Sequence, residues 1–423
     1  MLRKSKVCLL LALALLLCIG SLSTAFATNL NGDRALIGTE DNPVQAAITK
    51  NLRLPTGTNV PDASFRFQVT PIEVDEVPFN ATPPNMPPLG VNNQFTISFS
   101  AADASLKAPV DGLINTDSIK KETGNIFAGV DFPHAGIFVY EIEEVPDTNI
   151  LIDPPTNVNE WLSYSNAKYT LTVFVRYKAP PNETETYVYA LVTVITTPGE
   201  GQTAGDKVDP TPGGYEDHYL HSQMAFINDY VKNNGPFDPE GEFSSLTISK
   251  QVAGDLASKE QLFTFTINLT IPSIVPNPPT YYRAFRVEGG VAEGNYIQIS
   301  ATGETEFTLR HGQSLVFVDA PVGIGYSLVE AASLHYRPSV DLITAGVGPV
   351  TISEPNPNTV LLTGSQLIGD GANSAAFTNT RDSITPTGLI LSNLPFFLLI
   401  ALGLGAIVTL TVVKVHRRNR YDR

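Results

Sequence analysis

Lys50, Glu144 and Asn228 occur in that order in the first half of the chain, and Lys250, Glu330 and Asn379 repeat the order in the second half. Each lysine lies early in a strand-like segment, Ile48-Thr49-Lys50 or Ile248-Ser249-Lys250. Each acid ends a later one, Gly136-Ile137-Phe138-Val139-Tyr140-Glu141-Ile142-Glu143-Glu144 or Gly325-Tyr326-Ser327-Leu328-Val329-Glu330. Each asparagine sits in a closing segment, Phe226-Ile227-Asn228-Asp229-Tyr230 or Phe377-Thr378-Asn379-Thr380. An amine, a carboxylic acid and a carboxamide are a nucleophile, a proton shuttle and an electrophile. An apolar site suits that chemistry, because burial strips the proton from a lysine and keeps it on a glutamate.

Strand periodicity decides which of these side chains face inward. Phe138, Tyr140, Ile142 and Glu144 share one face, while Glu141 and Glu143 share the other and should meet solvent. By the same count Glu330 joins Tyr326 and Leu328, Asn228 joins Phe226 and Tyr230, and Asn379 joins Phe377. Lys50 falls in line with Ile48, and Lys250 with Ile248. Three polar groups on the apolar face of one core are costly unless they meet one another.

The elements that must position them are strands. Phe65-Arg66-Phe67-Gln68-Val69, Phe95-Thr96-Ile97-Ser98-Phe99 and Tyr169 to Val175 alternate in period two, and Tyr187 to Ile195 is longer and nearly all apolar. Phe263-Thr264-Phe265 answers Phe65-Arg66-Phe67, so the repeat extends beyond the triads. A short helix is expected over Ala101 to Lys107. Many strands with Pro and Gly turns predict an all-β chain of two tandem immunoglobulin-like β-sandwiches. The expected domains are 41–232 and 243–382, joined by a polar, Gly- and Pro-rich linker at 233–242. Long loops are expected at Pro78 to Asn92, Val145 to Ser163 and Pro198 to Asp217, with Trp161 anchoring one of them.

This ordered, repeated triad resembles the backbone pilins of Gram-positive bacteria, whose domains form Lys–Asn isopeptide bonds spontaneously. The resemblance covers most of the mature chain. It implies amides between Lys50 and Asn228 and between Lys250 and Asn379, with Glu144 and Glu330 as the autocatalytic acids. Each domain would react once and release ammonia, so the chain is not expected to be an enzyme. Such a bond ties the first strand to the last. Like a disulfide closing a long loop, it should stabilise by a few kcal/mol, and reductants would not cleave it. Tension entering one terminal strand would cross the bond to the other. The competing reading has both lysines reaching solvent and both glutamates as strand-end charges.

The two ends of the chain point to the cell surface. Residues 1–27 read as a secretory signal: a cationic start at Arg3-Lys4-Ser5-Lys6, an apolar run from Val7 to Ile19, and the small-x-small pattern Ala25-Phe26-Ala27. At 384–423 stand Ile384-Thr385-Pro386-Thr387-Gly388, a membrane-length apolar stretch at about 389–413, and a basic stop from Lys414 to Arg420. This order resembles sortase substrates of Gram-positive bacteria, and the missing residue between Pro386 and Thr387 resembles the variant of a subset of pilins. The resemblance implies cleavage between Thr387 and Gly388 by a sortase. Thr387 would then be joined to an amine, on a peptidoglycan precursor or a neighbouring pilin subunit.

The remaining composition narrows the classes. A formal net charge of −15 argues against nucleic acid as a partner. Cys8 and Cys18 both lie in the signal segment, so the mature chain is expected to lack thiols, disulfides and cysteine-ligated metal. His218 and His221 are too few for a metal site, no catalytic or phosphate-binding motif occurs, and no cofactor is expected. The sequence therefore reads as a pilus shaft subunit or related wall protein, with a monomeric adhesin as the alternative and a surface hydrolase a distant third. It names no host ligand. The stretch Tyr219 to Phe226 also lacks the lysine that some similar pilins use to join subunits, and Lys207 and Lys232 only lie nearby.

Overall fold

Alternating aromatic and β-branched residues bury one face of a strand and leave the other polar, and such strands are stable only when two sheets close over a shared core. The computed structural model describes residues 37–82, 84–146, 160–213, 223–234, 244–382 and 394–418. The chain is all-β apart from one short 3-10 helix and a C-terminal helix among those residues. The expected helix at Ala101 to Lys107 is the 3-10 turn Ala101–Leu106, held where the Asp103 carboxylate accepts the Ser100 N–H at 2.8 Å. The C-terminal helix, Leu394–Arg418, is long and apolar enough over Pro395–Arg417 to cross a membrane. Ala27, Thr387 and Gly388, which carry the cleavage expectations, lie outside the described residues, as do His218 and His221.

Four sheets form two immunoglobulin-like sandwiches with separate hydrophobic cores, one drawn from Val44 to Tyr230 and the other from Leu246 to Phe377. In the first sandwich the opening strand Thr49–Pro55 is central in a five-stranded sheet, parallel to the closing strand Ala225–Lys232. The strand Gly136–Val145 lies in the facing sheet, beside Ala63–Val74. In the second sandwich the opening strand Leu246–Ala253 runs parallel to the closing strand Ser374–Thr380 in a seven-stranded sheet. There Gly325–Glu330 lies in the facing sheet, beside Phe263–Thr270. First and last strands are thus neighbours in both sandwiches, and the acid-bearing strand faces them across the core.

Two loop expectations change. Trp161 is not in a loop: it sits on the short strand Glu160–Leu162, paired with Val231 of the closing strand. Closing-strand backbone would otherwise be exposed at that edge, and the short strand covers it. The other is Lys207–Val208, which adds an edge strand to the facing sheet within the expected loop at Pro198 to Asp217.

The start of the expected linker is built into the second sandwich. Asn233 bridges to Pro321, and the side chain of Asn234 is buried, its amide donating to the Gly371 carbonyl at 2.7 Å. Further contacts bridge the junction. Asn115 donates to the Gly323 carbonyl at 3.1 Å, and Ile114 and Ser273 exchange hydrogen bonds at 2.8 and 3.1 Å. Asp370 accepts from the Asn59 N–H at 3.1 Å and pairs with Lys232 at 2.9 Å. Gly323 has φ +86, and a Cβ there would stand 2.4 Å from Cβ of Pro55, so glycine is required by both backbone and space.

Candidate functional site

The two sandwiches place their triads by the same register. Lys50 is paired with Phe226, and two residues on Leu52 is paired with Asn228. In the second sandwich Lys250 is paired with Phe377 and Val252 with Asn379. The acid arrives opposite equivalent phenylalanines, Glu144 beside Phe67 and Glu330 beside Phe265. All six triad residues are buried: Lys50, Asn228, Lys250 and Glu330 at 0 %, Asn379 at 1 % and Glu144 at 6 %. Neither lysine reaches solvent. Glu143, the outward neighbour of Glu144, pairs at the surface with Lys168.

Side-chain geometry agrees to the tenth of an ångström. Lys50 Nζ donates to Glu144 Oε1 at 2.7 Å, and Asn228 Nδ2 donates to the same oxygen at 2.8 Å. Lys250 Nζ donates to Glu330 Oε1 at 2.7 Å, and Asn379 Nδ2 to that oxygen at 2.8 Å. Each ammonium also stands 4.3 Å above a phenylalanine ring, Phe65 for Lys50 and Phe263 for Lys250. Phe67 packs on Phe226 at 5.0 Å, and Phe265 on Phe377 at 5.0 Å, so aromatic walls seal both sites.

Burial sets the electrostatics. Desolvation pulls both Lys50 and Lys250 down from 10.5 to about 8, against the pull of their glutamates. The same desolvation pushes Glu330 above the ordinary carboxylate range. Proton transfer from ammonium to carboxylate inside such a pair is therefore far easier than in water. It yields a neutral amine beside a protonated acid, with a carboxamide held on the same oxygen. An arrangement of this kind can carry out amide exchange: the amine adds to the carboxamide carbon and the acid protonates the departing nitrogen.

Two features next to the first triad escaped sequence reasoning. Arg53 lies beneath the sheet and holds Asp229, the neighbour of Asn228, at 2.6 and 2.8 Å, and it also holds Glu200. Nothing in the sequence tied Arg53 to Glu200. The other is the main-chain N–H of Ser165, which donates to Asn228 Oδ1 at 2.9 Å and Glu144 Oε2 at 3.2 Å. A backbone donor has no residue signature. Among the described residues, no three His, Cys, Asp or Glu side chains gather as metal ligands.

Paired β-sandwiches whose first and last strands meet over a buried Lys–Glu–Asn triad define the class of module to which these geometries point. Comparison with known proteins gives relatives. A family described only as a domain of unknown function, DUF7601, matches residues 244–381, the second sandwich. A Streptococcus pyogenes pilin is 24% identical over 406 residues, 93% of this chain and 95% of the pilin. The pilus tip adhesin Cpa of Streptococcus pyogenes is 28% identical over 149 residues, which are 34% of this chain but only 18% of the adhesin. The crystal structure of a Streptococcus pyogenes major pilin aligns over 81% of this chain and all of that one, at 18% identity and a TM-score of 0.31. The chain is thus similar along nearly its full length to a streptococcal pilin.

Proposed function

We propose that this chain is a sortase-anchored pilus subunit whose two sandwiches each close a Lys–Asn isopeptide bond, Lys50 to Asn228 and Lys250 to Asn379. The observation that carries the proposal is the convergence, twice at the same register, of a buried lysine and asparagine on one glutamate oxygen. A buried ion pair alone is a weak source of stability, so two matched pairs with a matched carboxamide favour a chemical role. Glu144 and Glu330 take the proton from the lysine and deliver it to the leaving ammonia. The intact mass of the secreted ectodomain should fall short of the sequence mass by two ammonia losses, and tandem spectra should show both cross-linked peptide pairs. An unmodified mass from well-folded protein would end this reading.

The anchoring proposal rests on the order of the C-terminal segments and on the membrane-length helix Leu394–Arg418. Wall-released protein should end at Thr387; an intact basic tail on most surface protein would contradict it. For polymerisation, Lys207 is the better acceptor of the two lysines nearby. It is exposed on an edge strand of the first sandwich, whereas Lys232 lies at the junction between the sandwiches. Lys207→Ala should collapse a detergent-resistant ladder to monomer.

One observation favours the adhesin alternative. A cleft of about 710 Å³ opens beside the junction, with Trp161, Tyr281, Tyr296, Arg283 and Asp319 among its lining residues. If cells yield only monomer, Trp161→Ala and Tyr281→Ala should weaken attachment of those cells to their surface ligand.

A further inference from the structure

The two triads match in register and in their Lys–Glu and Asn–Glu distances, yet they differ in one hydrogen-bond donor. In the first sandwich the Ser165 N–H donates to Asn228 Oδ1 at 2.9 Å and also to Glu144 Oε2 at 3.2 Å. In the second, Asn379 Oδ1 and Glu330 Oε2 are buried without a hydrogen-bond partner among the described residues. The Ser165 donor is also held rigidly. It follows the strand Glu160–Leu162, and Ser163 grips the backbone of Asp229 from both sides: its N–H donates to the Asp229 carbonyl at 2.9 Å and its Oγ accepts the Asp229 N–H at 3.0 Å. The turn is thus anchored to the residue next to Asn228.

We propose that the main-chain N–H of Ser165 is the oxyanion donor for bond formation in the first sandwich, and that the second sandwich runs the same reaction without one. This inference rests on the cross-linking reading above. Lys50 passes a proton to Glu144, and the free amine adds to Cγ of Asn228. The C–N bond forms as the carbonyl π pair moves onto Oδ1, the atom that already faces Ser165. Glu144 Oε1 contacts both nitrogens, so the proton that the adding nitrogen releases can be handed to Nδ2 through the acid. The Cγ–Nδ2 bond breaks, ammonia departs, and the carbonyl re-forms as the new amide. Atoms balance as amine plus carboxamide giving amide plus ammonia. A fixed donor at the oxygen where charge develops acts on the barrier, because its hydrogen bond strengthens in the transition state.

Ser165 accordingly acts through its backbone N–H, which touches the reacting oxygen directly. The test uses the full ectodomain, made by cell-free translation with the peptide N–H of Ser165 replaced by an ester oxygen. Cross-linked peptides from both sandwiches are quantified over time by mass spectrometry. The ester should slow the Lys50–Asn228 bond on the order of 10²-fold and leave the Lys250–Asn379 bond at its normal rate as an internal clock. Equal rates for ester and parent in the first sandwich would overturn the proposal. If the ester chain fails to fold, the unaltered chain supplies the test: timed from chain completion, the first bond should close at least about tenfold faster than the second, and a second bond as fast or faster overturns the inference. Absence of both bonds from the unaltered chain would instead strike the cross-linking reading itself.

Discussion

The first and second sandwiches solve one problem with different surroundings. Both place a lysine and an asparagine on parallel neighbours, both bring a glutamate from the facing sheet, and both wall the site with phenylalanine. Three residues past the lysine they part. Arg53 stands opposite Asp229 and joins a partly buried charge network, whereas Ala253 stands opposite Thr380. The first triad has a backbone donor from Ser165, and the second leaves the equivalent oxygens unpartnered among the described residues. The shared set is therefore what assembly of the site requires: strand pairing, a facing acid and an apolar wall. The differing set acts on rate and on local stability.

The largest effect expected from breaking this comparison is loss of one bond. Glu144→Ala should restore one ammonia to the intact mass and leave the second sandwich linked, and Glu330→Ala should do the converse. Each variant should lose ~2–5 kcal/mol of stability in its own sandwich, the scale for removing a structural cross-link. The two loops differ in length by less than a factor of two, so their entropic terms should agree within ~0.6 kcal/mol. Calorimetry that shows both sandwiches weakened by either variant would mean the sites are coupled.

Next comes pH. The reactive pair holds one proton between lysine and glutamate, and it loses that proton as pH rises through about 8. Above that value the amine is free but the acid that must protonate ammonia is gone. Bond formation should be level just below pH 8 and fall about tenfold per unit above it. A rate that keeps climbing to pH 10, followed by time-resolved mass spectrometry, would show that the glutamates only orient the amide.

A smaller effect is expected at the junction. Gly323→Ala forces a side chain onto Pro55 at a positive φ, which should cost ~1–3 kcal/mol and lower the first melting transition without altering either bond. The smallest concerns Glu143, whose carboxylate is a third exposed and pairs with Lys168. Glu143→Ala should change stability by less than ~1 kcal/mol and leave the mass deficit untouched. A missing bond in that variant would mean strand alternation had been read one residue out.

Much of this arrangement was legible in the sequence because strands have a period of two. Counting from Phe138 puts Glu144 inside and Glu143 outside, and the same counting works from Ile48, Phe226 and Phe377. Repetition carried the rest, since an ordered Lys, Glu and Asn occurring twice fixes which of thirteen lysines matter. What stayed hidden depends on main-chain atoms and on distant pairing. Trp161 looked like a loop residue because a three-residue strand leaves no periodicity to read. Ser165 gave no signal because any residue except proline brings the same N–H. Arg53 reaches Glu200 only after the chain has folded across the sheet.

The crossing between the sandwiches has a consequence for flexural behaviour. Asn115, Ile114 with Ser273, and Asp370 with Lys232 and Asn59 bridge the junction where the chain passes from one sandwich to the next. Bending at the junction would have to break several of these contacts, and Gly323 stands close against Pro55 there. The two sandwiches should therefore move as one stiff segment about twice the length of either. Any assembly built from such segments would bend at the joints between chains and not within them.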